Sequence, residues 1–390
     1  MRPRPEFSPA PRGVSLLGAT GSIGEQALQV VRLHRGQLRV AALSGGRRVE
    51  RLAEQAREFS PQLVCVAGAA AVPEMRAAVG PRVRVVSGEA GLLECATCDS
   101  AEVVLNGLVG ARGLAPSLAA LEAGKTLALA NKETLVAGGP LAEGAARRGG
   151  GQILAVDSEH WALGELLEGR DIAEVRQVWI TASGGPLRGV DPARFEALTP
   201  EEVLAHPVWA MGRRITVDSA TLLNKGFEVL EARWLFGLPL ERVGAVVHPE
   251  ALAHALVEWG DGSWTAQLST PSMALPIQRA LLGRRAHPTP APPLGLLEAG
   301  ALRFEPIDTR AFPCYELARA AGEAGGTLPA ALNAADEVVV EAFLEGRIPF
   351  PGIAARLRRV LERHHRRELE CADDVWEADR EARELARGLL

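Results

Sequence analysis

The chain has 390 residues, 47% of them hydrophobic, which is enough to bury at least one full core and favours two or three domains over one. A formal net charge of -5, with acidic and basic residues interspersed almost throughout, argues against a nucleic-acid partner. No apolar run approaches the roughly 20 residues needed to cross a bilayer, and five scattered cysteines argue against a disulfide framework, so a cytoplasmic protein with no membrane partner is expected.

Residues 1–13 are rich in Pro and Arg and read as a short leader. Seven short apolar runs then alternate with helical stretches: residues 14–17, 38–43, 63–66, 83–86, 103–105, 127–130 and 153–156. That alternation is the mark of an α/β unit with a doubly wound parallel sheet, Rossmann-like, over residues 1–157. Ligands of such sheets gather beyond the carboxyl ends of the strands, so the residues after each run carry the chemistry.

After the first run comes Gly18-Ala19-Thr20-Gly21-Ser22-Ile23-Gly24, opening a helix over residues 25–33. Small residues let the backbone approach a pyrophosphate, and a helix N-terminus supplies free N–H groups and partial positive charge. An NAD enzyme places Asp or Glu at the end of the second strand to take the ribose 2'-OH. Here that position reads Ser44-Gly45-Gly46-Arg47-Arg48, with no carboxylate and two guanidinium groups, which favours NADP. Cys95 and Cys98 form a single C-x-x-C with no second pair, a weak signal for metal or redox chemistry.

The sixth run is followed by Asn131-Lys132-Glu133 and the seventh by Asp157-Ser158-Glu159. Two carboxylates two residues apart at a strand end can converge on a hard cation such as Mg2+ or Mn2+. A catalytic α+β unit is expected over 158–286, with strands at 175–180, 243–247 and 263–268. It carries a hydroxyl- and glycine-rich loop, Thr181-Ala182-Ser183-Gly184-Gly185-Pro186, and an aromatic flap, His206-Pro207-Val208-Trp209-Ala210-Met211-Gly212. In the helical segment from Asp218 to Glu228, Asn224, Lys225 and Glu228 share one side at i, i+4 and i, i+3 spacing. An amide, an ammonium and a carboxylate there suit a phosphate beside a cation. Residues 287–313 read as a linker with a Pro-rich start, and 314–390 as a small helical C-terminal domain. His248 and the pair His364-His365 read as structural.

Lysine occurs only at 125, 132 and 225, and asparagine only at 106, 131, 224 and 333. Where Arg can serve as well as Lys on a solvated surface, the surviving lysines should mark sites that need a compact ammonium. Two of the three stand directly after an asparagine, as Asn131-Lys132 and Asn224-Lys225.

The strings GATGSIG, LANKE, VDSEH, TASGGP, HPVWAMG, VDSATLLNKGFE and ALNAADE occur in the order found in 1-deoxy-D-xylulose 5-phosphate reductoisomerases, and the chain resembles that family from Val14 almost to its end. The resemblance implies a three-domain homodimer that rearranges and reduces a small sugar phosphate, using NADPH and Mg2+, Mn2+ or Co2+. It implies that Thr20, Gly21, Ser22, Ile23, Gly46, Arg47, Arg48, Asn131, Glu133 and Gly212 contact NADPH. Asp157, Glu159 and Glu228 match the metal ligands. Lys132, Ser158, Glu159, Ser183, His206, Ser219, Asn224, Lys225 and Glu228 match the substrate set, with Lys132, His206 and the three carboxylates at the catalytic positions. The chain departs from the pattern at Ala19, where Ser is usual, and at Arg47, where Lys is usual.

Two other readings compete. Another NADP-dependent oxidoreductase, such as a semialdehyde dehydrogenase, would need a nucleophilic cysteine with a nearby base, which no Cys here supplies in a convincing pattern. A non-catalytic nucleotide sensor would have no use for three converging carboxylates and a phosphate cradle.

Overall fold

A computed structural model describes residues 10–209 and 211–390. Residues 1–9 of the expected leader, and Ala210 of the expected flap, lie outside the described residues, whereas Arg12 and Gly13 already belong to the first strand. The chain divides into two compact units. The first holds the described residues up to Asn131 together with Gly144–Asp157 and Ser272–Pro292; the second holds Lys132–Glu143, Ser158–Pro271 and Pro293–Leu390.

The seven expected runs all form strands: β1 Arg12–Leu17, β2 Leu38–Ser44, β3 Leu63–Val66, β4 Arg84–Ser87, β5 Val103–Asn106, β6 Thr126–Leu129 and β7 Gln152–Ala155. They make one sheet in the order β4-β3-β2-β1-β5-β6-β7, and every pairing is parallel. The central strands read as near-continuous apolar runs because helices cover both faces. Helix Ser22–Leu33 contributes Ala27, Leu28, Val30 and Val31 to that cover. The direction of winding reverses at β1, which has β2 on one flank and β5 on the other, so the crevice for a dinucleotide opens at the carboxyl ends of β1 and β5.

Segment Ser272–Pro292 folds with this first unit, although the composition placed a boundary at 286 and a linker beyond it. Its helix Ala274–Leu282 buries Ile277, Ala280 and Leu281 in the first core. Arg12 Nη1 donates to the Leu281 carbonyl at 2.9 Å, and His34 Nε2 lies 2.9 Å from the Pro288 carbonyl.

In the second unit a four-stranded sheet contains β8 Val175–Ala182, β9 Val243–Val247, β10 Ala253–Trp259 and β11 Trp264–Leu268, in the order β11-β10-β8-β9. Only β8 and β9 pair in parallel; β10 is antiparallel to both its neighbours. Strand β10 was not among the expected strands. Helices Cys314–Ala324, Leu328–Leu344, Pro351–Arg363 and Ala372–Arg387 form the helical C-terminal region, and their apolar faces share one core with helix Leu223–Phe236. Gly226 and Gly322 permit that approach: a Cβ at Gly226 would stand 2.5 Å from the Ala318 Cβ, and one at Gly322 would stand 2.0 Å from a Leu230 methyl. Among the described residues no helix is long and apolar enough to cross a membrane.

Candidate active site

In the first unit the glycine loop has steric reasons for its composition. Gly18 sits at φ +85°, and a Cβ there would lie 2.8 Å from the Gly107 carbonyl oxygen; a Cβ at Gly24 would lie 2.4 Å from that of Ala19. Helix Ser22–Leu33 begins after Gly21, which brings no side chain to cap it, so its first N–H groups remain available to an anion. The loop is braced from behind. Gly18 N donates to Ser44 Oγ at 3.1 Å, and Gln55 Nε2 donates to the Ala19 carbonyl at 3.1 Å. Glu25 takes a bidentate pair from Arg51, 2.7 Å for each bond, and those hydrogen bonds hold its carboxyl below the usual range. Gly46, Arg47 and Arg48 follow β2 and are exposed. Asn131 has a different local task from the expected one: its buried amide donates to the Leu108 and Gly110 carbonyls at 3.1 and 3.0 Å and so orders the turn after β5.

In the second unit the two asparagine-lysine pairs supply one network. Lys132 Nζ donates to Asn224 Oδ1 at 2.7 Å and to Glu228 Oε1 at 2.8 Å, Asn224 Nδ2 donates to Glu228 Oε1 at 2.6 Å, and Lys225 Nζ donates to Glu228 Oε2. Lys132, Lys225 and Glu228 are all buried. The helix supplying three of these groups, Leu223–Phe236, is entered through Leu222, a buried residue at φ +58°. A left-handed leucine costs about 1–2 kcal/mol, and strain of this kind concentrates where function over-determines the backbone.

A Glu159 carboxylate oxygen and a Glu228 carboxylate oxygen lie within 4.8 Å of each other. Ser158 Oγ donates to Glu159 Oε2 at 2.8 Å, and His254 Nδ1 stands 3.5 Å from Glu159 Oε1. From below, His160 Nε2 donates to the Glu228 carbonyl at 2.8 Å while its Nδ1 stands 3.5 Å from Glu231 Oε2. Asp157 closes the first unit and is one peptide bond from Ser158, the first residue of helix Ser158–Leu167. Hard carboxylate oxygens at this spacing fit Mg2+ or Mn2+.

β8 runs directly into Ser183, and the loop beyond it is shaped by Gly184 at φ +87° and Gly185 at φ +68°. A Cβ at Gly185 would stand 2.7 Å from the Ser219 carbonyl oxygen, so this loop lies against the end of helix Arg213–Ala220. Ser183 Oγ is 3.2 Å from His206 Nε2. His206 Nδ1 accepts from the backbone N–H groups of Val208 and Trp209 at 3.1 and 2.8 Å. Nδ1 is therefore unprotonated and Nε2 carries the hydrogen, which it donates to Ser183; burial pushes the imidazole pKa down and favours this neutral ring. Gly212 caps helix Arg213–Ala220 at φ -63° with open space where a Cβ would go, so this conformation does not itself demand glycine.

Glu133 faces Arg214 Nη1 at 3.3 Å. His160, His254, Glu231 and Arg214 were missed as contributors. Their only signals were the VDSEH and ALNAADE strings and a histidine in an unrecognised strand. Cys95 hydrogen-bonds with Cys65 rather than serving a C-x-x-C pair, and Cys98 Sγ lies 3.3 Å from Ser100 Oγ. His248 stacks on Phe304 and bonds the Arg303 carbonyl, a structural role. His364, expected on a charged surface, is buried and paired with Thr327 Oγ1 at 2.9 Å.

Three family models match the chain: 1-deoxy-D-xylulose 5-phosphate reductoisomerase over residues 14–139, its C-terminal domain over 153–236, and the DXP reductoisomerase C-terminal domain over 268–385. The 1-deoxy-D-xylulose 5-phosphate reductoisomerase of Geobacillus kaustophilus is 48% identical over 378 residues, covering 97% of this chain and 99% of the relative. That of Symbiobacterium thermophilum is 48% identical over 381 residues, covering 96% and 98%. Among solved structures, the Zymomonas mobilis enzyme in complex with NADPH superposes with a TM-score of 0.92 at 37% identity, covering 97% of this chain and 99% of that one. A DOX-P reductoisomerase bound to NADPH, fosmidomycin and magnesium superposes with a TM-score of 0.91 at 34% identity, covering 97% and 98%.

Proposed function

The chain belongs to the 1-deoxy-D-xylulose 5-phosphate reductoisomerase family, and on that premise we propose how its own residues divide the work of the reaction. The protein is an NADPH-dependent oxidoreductase that converts 1-deoxy-D-xylulose 5-phosphate to 2-C-methyl-D-erythritol 4-phosphate in mevalonate-independent isoprenoid biosynthesis. The observation that carries the residue assignment is the buried network of Lys132, Asn224 and Lys225 on Glu228, with Glu159 beside it.

Asp157, Glu159 and Glu228 would hold the divalent cation. When bound, the cation supplies Lewis-acid polarisation of the substrate's ketone and hydroxyl oxygens, and NADPH supplies the hydride. Ser158 and His254 orient Glu159, and His160 fixes the backbone at Glu228, so the two carboxylates are preorganised. Lys132 Nζ neutralises charge on Glu228 and is placed to donate a hydrogen bond to a substrate oxygen. Ser183, Ser219, Asn224 and Lys225 bind the phosphate, and His206, its proton on Nε2, holds Ser183 and anchors the 206–212 flap. Thr20, Gly21, Ser22 and Ile23 take the pyrophosphate of NADPH. Gly46, Arg47 and Arg48 take the 2'-phosphate, and Asn131, Glu133 and Gly212 complete the cofactor set.

The test is NADPH oxidation in the presence of deoxyxylulose phosphate and Mg2+ or Mn2+, with product identification. Turnover that a chelator abolishes and added metal restores supports the assignment, whereas full activity in metal-free buffer would refute the metal site. A cytoplasmic homodimer is proposed with it: β11 is an edge strand and exposes 52% of Trp264, a surface that favours a partner. Light scattering reads the oligomeric state directly.

A further inference from the structure

Helix Arg213–Ala220 is two turns long, starts where the 206–212 flap ends and carries Ser219 in its last turn. Its second residue, Arg214, spreads its donors over three elements. Nε donates to Asp336 Oδ2 at 3.1 Å, Nη2 to Asn333 Oδ1 at 2.8 Å, and Nη1 to Glu337 Oε1 at 2.9 Å and Glu133 Oε1 at 3.3 Å. Asn333, Asp336 and Glu337 occupy one face of helix Leu328–Leu344 at i, i+3 and i+4. Asp218, one turn along from Arg214 and adjacent to Ser219, has its carboxylate 3.6 Å from the same guanidinium. Asp336 is fully buried and Asp218 nearly so, and the two carboxyls hydrogen-bond to each other. Burial pushes both pKa values up, Asp218 the further because the neighbouring Asp336 adds to it. On the far side Arg383 grips Glu337 at 2.5 Å while paired with Asp379 at 2.6 Å.

Such a buried ionic cluster contributes little net stability against an apolar alternative of the same volume, because desolvation of the charges offsets their attraction. What it does supply is orientation. A guanidinium bonded on three sides permits one rotation and one axial position of a short helix that has little else to hold it.

We propose that Arg214 is a positioning residue for substrate phosphate binding. It touches no substrate, but by locking helix Arg213–Ala220 onto helix Leu328–Leu344 it sets the aim of the Ser219 hydroxyl and fixes the hinge end of the flap. The proposal rests on Ser219 being a phosphate ligand, and its test separates the two.

The variants Arg214→Gln, Arg214→Lys, Ser219→Ala and Arg214→Gln/Ser219→Ala are compared by steady-state kinetics with NADPH saturating, alongside thermal unfolding. Arg214→Gln is expected to raise KM for deoxyxylulose phosphate about tenfold or more with kcat within about threefold, and Arg214→Lys to recover most of that loss. Because Arg214 acts through Ser219, adding Arg214→Gln to Ser219→Ala should cost less than about twofold more. If Ser219→Ala leaves KM unchanged, Ser219 is not a phosphate ligand and both ideas fall. If Ser219→Ala raises KM but the two losses multiply in the double variant, the reading of Ser219 stands and the Arg214 proposal falls. It also falls if Arg214→Lys behaves as Arg214→Gln does, with kcat and unfolding temperature dropping together.

Discussion

Replacing Lys225 by Met removes an ammonium while keeping most of the side-chain stem, so the change isolates charge. Lys225 is buried and donates to Glu228 Oε2, but Glu228 would still accept from Lys132 and Asn224 at 2.8 and 2.6 Å, so the free protein should keep its fold. With substrate present, the lost contact is a charge-assisted hydrogen bond to a buried phosphate, worth about 1.5–3 kcal/mol. At about 1.4 kcal/mol per decade, kcat/KM should fall by roughly tenfold to a hundredfold. Part of the loss should appear in kcat, because binding energy from the phosphate also drives orientation at the reacting end. The assay is NADPH oxidation with deoxyxylulose phosphate and, separately, with free deoxyxylulose. The variant should lose activity on the first and hardly change the poor turnover of the second. Equal losses on both would mean that Lys225 serves the metal or the fold, and the phosphate assignment would be wrong.

Arg47→Ser and Arg48→Ser should each weaken NADPH use by about tenfold while leaving NADH use nearly unchanged; equal efficiency of the parent protein with both cofactors would count against the 2'-phosphate reading. For His206, a folded-state pKa pushed below the ordinary 6.5 by burial means that its stabilising contribution is present above 6.5 and is lost as pH falls below it. Protonating Nδ1 removes the acceptor for the Val208 and Trp209 amides, so KM for the sugar phosphate should rise below that pH; a His206 NMR midpoint above 6.5 would contradict this. Leu222→Gly sets two terms against each other: relief of a left-handed backbone, about 1–2 kcal/mol, and loss of a buried leucine, about 3–5 kcal/mol. The protein should be destabilised on balance, and an unfolding temperature above that of the parent would show that the strain was the larger.

Most of the architecture was legible because its signals are local. Each of the seven parallel strands is a short apolar run followed by turn chemistry, and Gly18 and Gly24 need no tertiary context to be read as close backbone approach. Strand β10 was hidden for the opposite reason. Helix Ser158–Leu167 packs on it, which requires small residues at Ala253 and Ala255 and admits His254 toward Glu159, and the resulting sequence lacks a strand's usual bulk. The docking of Ser272–Pro292 on the first unit was likewise invisible, since Ile277, Ala280 and Leu281 show only that a face is buried and not against what. In the site, carboxylates and lysines at helical spacing could be seen in advance. His160, His254 and Arg214 could not, because each acts on a group far away in the chain.

The scarcity of lysine has a practical side. Lys125 donates to the Cys98 and Ala101 carbonyls at 2.7 Å each, and Lys132 and Lys225 are buried on Glu228, so no side-chain amine of the chain is exposed. An amine-reactive reagent therefore meets an almost inert surface. Whatever side-chain labelling does occur distinguishes two places only, the brace at Lys125 and the site itself, and comparing the labelled peptides with and without sugar phosphate turns a crude surface chemistry into a footprint of occupancy.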